Sequence, residues 1–271
     1  MFDGHGGRDA AEYVHASLLP NILEDAGFPA SLHDAYRRAF WKTDLDFSRE
    51  CSLGKLAHSG TTATTALVWG RRLSIANLGD CRAVLCQRGK AMELTGDQKP
   101  TTSHEKQRIL AAGGFVDGEG FLNGVLGVSR AFGDWHYEEL KLVGPKAGPL
   151  SSVPEVTEWE LTREDEFLLI ACDGLWDVFS SQNAIEFARG ELRMHNDPAK
   201  CSEALVQEAL RRNTCDNVSA IVICFSTLPP PRRQFGGFGL NRSISSDAFS
   251  SLQDALNVSM EHNTNADRIL L

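Results

Sequence analysis

The chain of 271 residues has little of several things at once. It has no apolar run near the roughly 20 residues that a membrane-crossing helix needs. Its longest run, Phe167 to Cys172, has the length of a buried strand. It has seven cysteines (51, 81, 86, 172, 201, 215 and 224), an odd count with no CxxC pair. That excludes both a disulfide framework and a zinc knuckle as first readings. Several of these cysteines lie within apolar runs, where the thiol behaves as a small hydrophobe. Positive charge is in deficit: 27 Lys+Arg stand against 36 Asp+Glu, for a net charge of -9. Such a chain has no global field to draw nucleic acid or an anionic membrane, so neither is expected as a partner. The start, Met-Phe-Asp-Gly-His-Gly-Gly, has neither the basic opening nor the apolar stretch of a signal peptide. The expectation is a reduced, intracellular protein, cytoplasmic or nuclear or both. Apolar residues are not scarce: 42% hydrophobic content against 23% charged is too apolar for a disordered chain.

Composition changes once, near residue 227. Before it, apolar periodic segments alternate with turn signals. After it come Thr-Leu-Pro-Pro-Pro-Arg-Arg-Gln-Phe-Gly-Gly-Phe-Gly and a serine-rich stretch. The reading is a folded domain over 1–226 and a flexible tail over 227–271. In the domain, Ala11, Val14, Leu18 and Leu19 fall at helical spacing, as do Leu32, Ala35, Ala39, Phe40 and Phe47. Thr61–Trp69, Arg71–Asn77 and Arg82–Cys86 predict a meander of antiparallel strands, and Gln87-Arg88-Gly89-Lys90 a hairpin turn into Ala91–Leu94. Ser103 reads as the cap of a short helix reaching Ala112. Phe167–Cys172 and Val218–Phe225 predict central strands covered on both faces, with helices at Gln182–Leu192 and Ala199–Arg212 between them. Strands in meanders, with helices grouped before and after, predict an α+β fold in which sheets pack between helix layers.

The chemistry lies in aspartates set beside glycine: Asp3-Gly4-His5-Gly6-Gly7, Gly79-Asp80, Gly96-Asp97, Gly133-Asp134, Asp173-Gly174-Leu175-Trp176-Asp177, and Asp216 before Asn217. One Asp-Gly pair is ordinarily a turn. Asp173, however, ends a strand that is expected to be buried, and a carboxylate there must be paired, hydrogen-bonded or bound to a cation. Asp216, just before the last strand, meets the same constraint, and Asp3 opens the glycine-rich loop. An oxygen-rich set without paired His or Cys suits Mg²⁺ or Mn²⁺ rather than Zn²⁺. His5, read from its loop alone, fits a satisfied turn histidine as well as a proton donor. Asp80 and Asp134 read as turn residues bonded to backbone, Arg130 as the partner of an acid, and Trp176 and Phe179 as core. His104-Glu105 lacks the second histidine of a zincin motif.

Seven motifs occur in the order and spacing of one family: residues 1–7, Ser59-Gly60-Thr61-Thr62-Ala63, Asn77-Leu78-Gly79-Asp80-Cys81-Arg82-Ala83, Gly96-Asp97-Gln98-Lys99-Pro100, Ser129-Arg130-Ala131-Phe132-Gly133-Asp134, Cys172 through Val178, and Asp216-Asn217. Over about residues 1–226 the chain resembles the PPM-type, metal-dependent protein serine/threonine phosphatases (the protein phosphatase 2C family), most closely its plant members. The resemblance implies two antiparallel β-sheets packed face to face with helices on both outer faces, a four-layer α-β-β-α sandwich. It implies dephosphorylation of phosphoserine and phosphothreonine in proteins by a water activated between two Mg²⁺ or Mn²⁺ ions. By motif match Asp3 bridges the ions, Gly4 offers its backbone carbonyl, and Asp173 and Asp216 complete the set. His5 is the general acid, and Asp97 and Asp177 hold a third, weaker metal. Phosphoproteins, with protein kinases besides, are the implied partners of a monomer.

Two departures stand out. Gln98 occupies a position where the family usually has His. The chain also begins at the Asp-Gly-His loop, where family members carry earlier strands with a phosphate-gripping Arg and a Met-Glu-Asp segment. The expectation is therefore a truncated chain of weak activity, and the alternative reading is an inactive protein that binds phosphoproteins or kinases. Segment 134–153 corresponds to a variable flap near the family's active site. In the tail, Ser243 and Ser245 read as sites for a basic-directed kinase, and Phe249, Leu252, Leu256 and Met260 as one face of a docking helix.

Overall fold

The computed structural model describes residues 1–137, 139–141 and 148–231. The chain divides into units 1–231 and 232–271. The second unit, with the serines and helix face noted above, lies outside the described residues, as does part of the flap. In chain order the elements are β1 (Gly4–His5), α1 (Asp9–Leu23), α2 (Leu32–Ser52), β2 (Gly60–Thr61), β3 (Ala63–Trp69), β4 (Arg72–Leu78), β5 (Arg82–Gln87), β6 (Lys90–Glu93), α3 (Ser103–Ala111), β7 (Phe132–Gly133), β8 (Glu155–Glu160), β9 (Asp165–Ala171), α4 (Asp173–Trp176), α5 (Ser181–His195), α6 (Pro198–Arg211) and β10 (Ala220–Cys224).

Two antiparallel sheets, ordered β3-β4-β8 and β10-β9-β5-β6, make the body, and β1-β2-β7 forms a small third sheet. The side-chain period of two sorts each central strand between two cores. Leu73 and Ile75 of β4, Ala83 and Leu85 of β5, and Leu168 and Ile170 of β9 share the layer between the sheets. The alternate residues of β5 and β9 (Val84, Cys86, Phe167, Leu169 and Ala171) face Ala184, Ile185, Ala188 and Leu192 of α5 and Leu205 of α6. On the opposite outer face Ala76 and Leu78 of β4 pack against Val14, Leu18 and Ile22 of α1 and Tyr36 and Phe40 of α2. The result is the expected four-layer α-β-β-α sandwich.

Several local expectations need correction. β3, β4 and β5 are not one meander: β4 and β5 lie in different sheets. The chain crosses at Gly79 (φ +106°), where a side chain would run into Thr62. Strand β10 pairs with β9 alone, and Ile221 is 40% exposed, so it is an edge strand, not a central one, among the described residues. The buried stripe of α1 is Ala10, Val14, Leu18 and Ile22, one step from the expected face, and Leu19 is exposed. Ser103 is the first residue of α3, and Thr102 stands at the cap with its hydroxyl donating to the Lys99 carbonyl (2.7 Å) instead of accepting from the helix. The β5–β6 hairpin forms as expected, with Arg88 (φ 52°) and Gly89 (φ 76°) as its two turn residues. Residues 226–231 run back over α5: Asn196 Nδ2 donates to the Thr227 carbonyl (3.0 Å) and Arg189 Nη2 to that of Pro231 (2.7 Å). All seven cysteines are free thiols. No helix among the described residues is long and apolar enough to cross a membrane.

Candidate active site

Antiparallel order brings the end of β4, the end of β9 and the starts of β3 and β10 to the same end of the sandwich. The aspartates sit there. Asp3 is pinned by backbone pairing that extends β3: Met1 N donates to Thr64 O, Thr64 N to Met1 O and Thr62 N to Asp3 O, each at 2.9 Å. Gly4 and His5 then pair with Thr61 and Gly60 as β1–β2. Asp173 follows the buried Ala171-Cys172 and opens α4. The loop carrying Asp216 is drawn against it because residue 174 is glycine: a Cβ there would overlap the Asn217 carbonyl. Thr214 Oγ1 donates to the Gly174 carbonyl (2.7 Å) and Cys172 Sγ to that of Asn217 (3.3 Å), tying the loop down.

Asp3, Gly4, His5, Asp173 and Asp216 thus line one cavity of about 420 Å³. Its carboxylates repel one another in a partly dry setting. Burial first, then the charges of Asp173 and Asp216, push the Asp3 carboxyl up to about 6. Burial first, then Asp216 and Asp177, raise Asp173, against the pull of Lys99. Asp173 Oδ1 is buried and has no hydrogen-bond partner. An orphaned anionic oxygen facing two more carboxylates is what a divalent cation satisfies. Cys172 Sγ also comes within 4.8 Å of ligand atoms of Asp3 and Asp173. Burial first raises its pKa, so it stays a protonated thiol spent on the Asn217 carbonyl. The donors that remain are oxygens, which fits Mg²⁺ or Mn²⁺.

Asp97 and Asp177 do not line this cavity. Arg82 holds Asp97 with two bonds (2.9 and 2.7 Å), and the exposed Asp177 faces Lys99 at 4.0 Å. The Gln98 side chain is spent on β4: it accepts from Gly79 N (2.7 Å) and donates to the Asn77 carbonyl (3.3 Å), splinting the strand's end. Asp80 and Asp134 read in sequence as turn residues bonded to backbone; Asp80 keeps a backbone bond but also faces the cavity, and Asp134 gives its carboxylate to a side chain. Asp80 lines the cavity 3.8 Å from Lys99, and burial first, then Asp173, lifts its carboxyl to about 7. The signal was present, since Asp80 ends an apolar strand as Asp173 does. Asp134 receives His5 Nε2 at 2.7 Å. With 129 positions separating the two, nothing in the linear order announces the pair. Burial of His5 disfavours its charged form, but the hydrogen bond and charge of Asp134, with Asp3 and Asp80, outweigh it and raise the pKa. Arg130 pairs with Glu105 (2.6 Å) as expected, and Trp176 and Phe179 are buried. The group His104, Glu105 and Glu155 also clusters, but Arg108 and Arg130 already take the Glu105 carboxylate.

The same sandwich occurs in solved structures. The serine-threonine phosphatase 2C from Toxoplasma gondii superposes with a TM-score of 0.70 at 24% identity, over 83% of each chain. A C. elegans sex determining protein superposes with a TM-score of 0.70 at 26% identity, over 84% of this chain and 56% of its own. Fold and cavity together define an α-β-β-α sandwich that gathers carboxylate oxygens at one end. The chain belongs to the protein phosphatase 2C family, whose sequence profile matches residues 1–218. It is 51% identical over 256 residues to "Probable protein phosphatase 2C 57" of Oryza sativa subsp. japonica, covering 94% of this chain and 69% of that one. It is likewise 51% identical to "Probable protein phosphatase 2C 27" of Arabidopsis thaliana, covering 94% of this chain and 66% of that one. The chain thus spans about two thirds of the length of these relatives. The family is one of metal-dependent protein serine/threonine phosphatases.

Proposed function

We propose that this chain hydrolyses phosphoserine and phosphothreonine in proteins, with Asp3, the Gly4 carbonyl, Asp173 and Asp216 holding two Mg²⁺ or Mn²⁺ ions. The observation that carries this is the partnerless buried oxygen of Asp173 beside Asp3 and Asp216 in a chain of this family. Such ions supply, when bound, acidification of water and neutralisation of phosphoryl charge. In the reaction a water oxygen bonds to phosphorus and the bond from phosphorus to the seryl or threonyl oxygen breaks. His5 gives that oxygen its proton, a transfer worth typically 10²–10⁴-fold. A third, weaker ion between Asp97 and Asp177 would first require the Arg82–Asp97 pair to open.

The test is phosphate release from a phosphothreonine peptide with Mn²⁺ against EDTA, in the wild type and Asp173→Asn. Turnover should need Mn²⁺ and fall to background in the variant. Mn²⁺ affinity by calorimetry should drop by more than about 100-fold, beyond the 10- to 100-fold cost of losing a supporting partner. Turnover in EDTA, or a variant with full affinity, overturns the reading. Phosphopeptide binding with no turnover would support a binding protein instead.

A further inference from the structure

Resting on that reading of His5, we propose that Asp134 is its positioning residue: it takes the ring's Nε2–H and leaves Nδ1 as the nitrogen that serves the substrate's leaving oxygen. Asp134 is 2% exposed, and its Oδ2 lies 2.7 Å from His5 Nε2. A carboxylate only accepts, so Nε2 carries the hydrogen. Nδ1 has no protein partner among the described residues. The acid form is the imidazolium, with a hydrogen on each nitrogen: Nδ1 gives its proton to the leaving oxygen, the ring is left neutral as the Nε2–H tautomer, and its plane is set by a neighbour that cannot swing away.

The seat is built from several directions. Asp134 N donates to the Ser59 carbonyl at 2.9 Å, and β7 pairs with β2 at Gly60↔Gly133. Residue 60 is glycine, and any Cβ there would overlap both His5 Nε2 and Asp134 Oδ2. The residues on either side of Asp134 are clamped by one carboxylate of α2: Asp44 Oδ1 accepts from Gly133 N (2.8 Å) and Trp135 Nε1 (3.1 Å). The buried Lys141 closes on Asp44 Oδ2 at 2.6 Å. Asp134 itself sits at φ +60°, a conformation that non-glycine residues adopt at a cost and keep only where the surroundings enforce it. The glycine at 60 thus makes room for the pair, and its His5 end lines the reaction cavity.

The experiment compares Asp134→Ala, Asp134→Asn, His5→Gln and the double variant His5→Gln/Asp134→Ala on two substrates with Mn²⁺. One is a phosphothreonine peptide, whose alkoxide leaving group needs a proton. The other is p-nitrophenyl phosphate, whose phenolate does not. Asp134→Ala is expected to lower peptide kcat on the order of 10- to 100-fold, part of what a positioned proton donor supplies, with KM nearly unchanged. Turnover of the nitrophenyl ester should stay within about threefold. Asp134→Asn, which keeps an acceptor oxygen, should recover much of the loss, and the double variant should be no slower than His5→Gln. In long-range ¹H–¹⁵N spectra of the metal-free chain, His5 should be the Nε2–H tautomer in the wild type and lose that preference in Asp134→Ala. Equal losses on both substrates, multiplicative losses in the double variant, or an Nδ1–H tautomer in the wild type would overturn the proposal. Were His5→Gln itself blind to the leaving group, the general-acid reading would fail. A sensitive His5→Gln beside an insensitive Asp134→Ala would sink the positioning role alone.

Discussion

Glu105 is wholly buried yet charged, and its surroundings explain how. Arg130 reaches its Oε1 at 2.6 Å and Arg108 its Oε2 at 2.8 Å. Burial alone would raise its pKa, but the bonds from Arg130, Arg108 and Ser129 outweigh it and hold the carboxyl at about 2. Because the folded-state value is depressed, this contribution is present above the ordinary range near 4.5 and fades as pH falls toward 2. Removing one partner of such a network leaves uncompensated buried charge, at a cost of about 3–5 kcal/mol. Glu105→Gln should therefore lower stability by roughly that amount in urea titrations at neutral pH, and by much less near pH 2. Equal losses at both pH values would show that packing, not charge, holds the site. The same comparison of burial and partner separates the two carboxylates of the cavity end: Asp97 is spent on Arg82, whereas Asp173 keeps an oxygen with no partner.

At the scale of elements, β5 decides the architecture. It is buried on both faces, sending Leu85 into the layer between the sheets and Val84 and Cys86 under α5 and α6. Leu85 has no exposed surface. Leu85→Ala should cost about 2–5 kcal/mol, with the spread set by how far the layer collapses into the space. Denaturant midpoints with an unchanged m-value would show it. Edges tell the opposite story. Met1 pairs only as far as Thr64, so β3 from Thr65 to Trp69 has no strand beyond it among the described residues. Neither has the outer edge of β10. Between them lies an apolar cavity of about 310 Å³ lined by Met1, Leu18, Ala66, Ile221 and Ile223 among others.

Across the whole molecule the cavity stores electrostatic tension. Asp3 near 6 and Asp80 near 7 both titrate above the ordinary value of 3.8. Between about pH 4 and pH 7 the folded chain therefore holds protons that the unfolded chain releases, and stability falls as pH rises through that window. On the proposed reading, a divalent cation takes the place of those protons. The EDTA-treated chain should melt at lower temperature near pH 7.5 than near pH 5.5. Mn²⁺ at about 100 times its Kd should add on the order of 5–10 °C near pH 7.5 and less near pH 5.5. Scanning calorimetry of the wild type beside Asp173→Asn checks this, and a Mn²⁺ response unchanged in the variant would move the cation elsewhere.

Periodicity, turn chemistry and motif spacing are local, and they were enough to read the longer helices, the hairpin at Arg88-Gly89, the buried strand Phe167–Cys172 and the carboxylates with the character of cation ligands from the residues alone. The sequence did not reveal β8, whose Glu155–Glu160 is half-covered with charged residues and signals no strand until β4 pairs with it. It placed β4 and β5 in one meander, because a change of sheet at Gly79 looks like any other turn. That Asp80 faces the cavity, that Asp97 pairs with Arg82 and that Asp134 meets His5 emerge only from the folded arrangement. Those outcomes depend on which strand ends come together in space, and a carboxylate's role follows from the partner it reaches there.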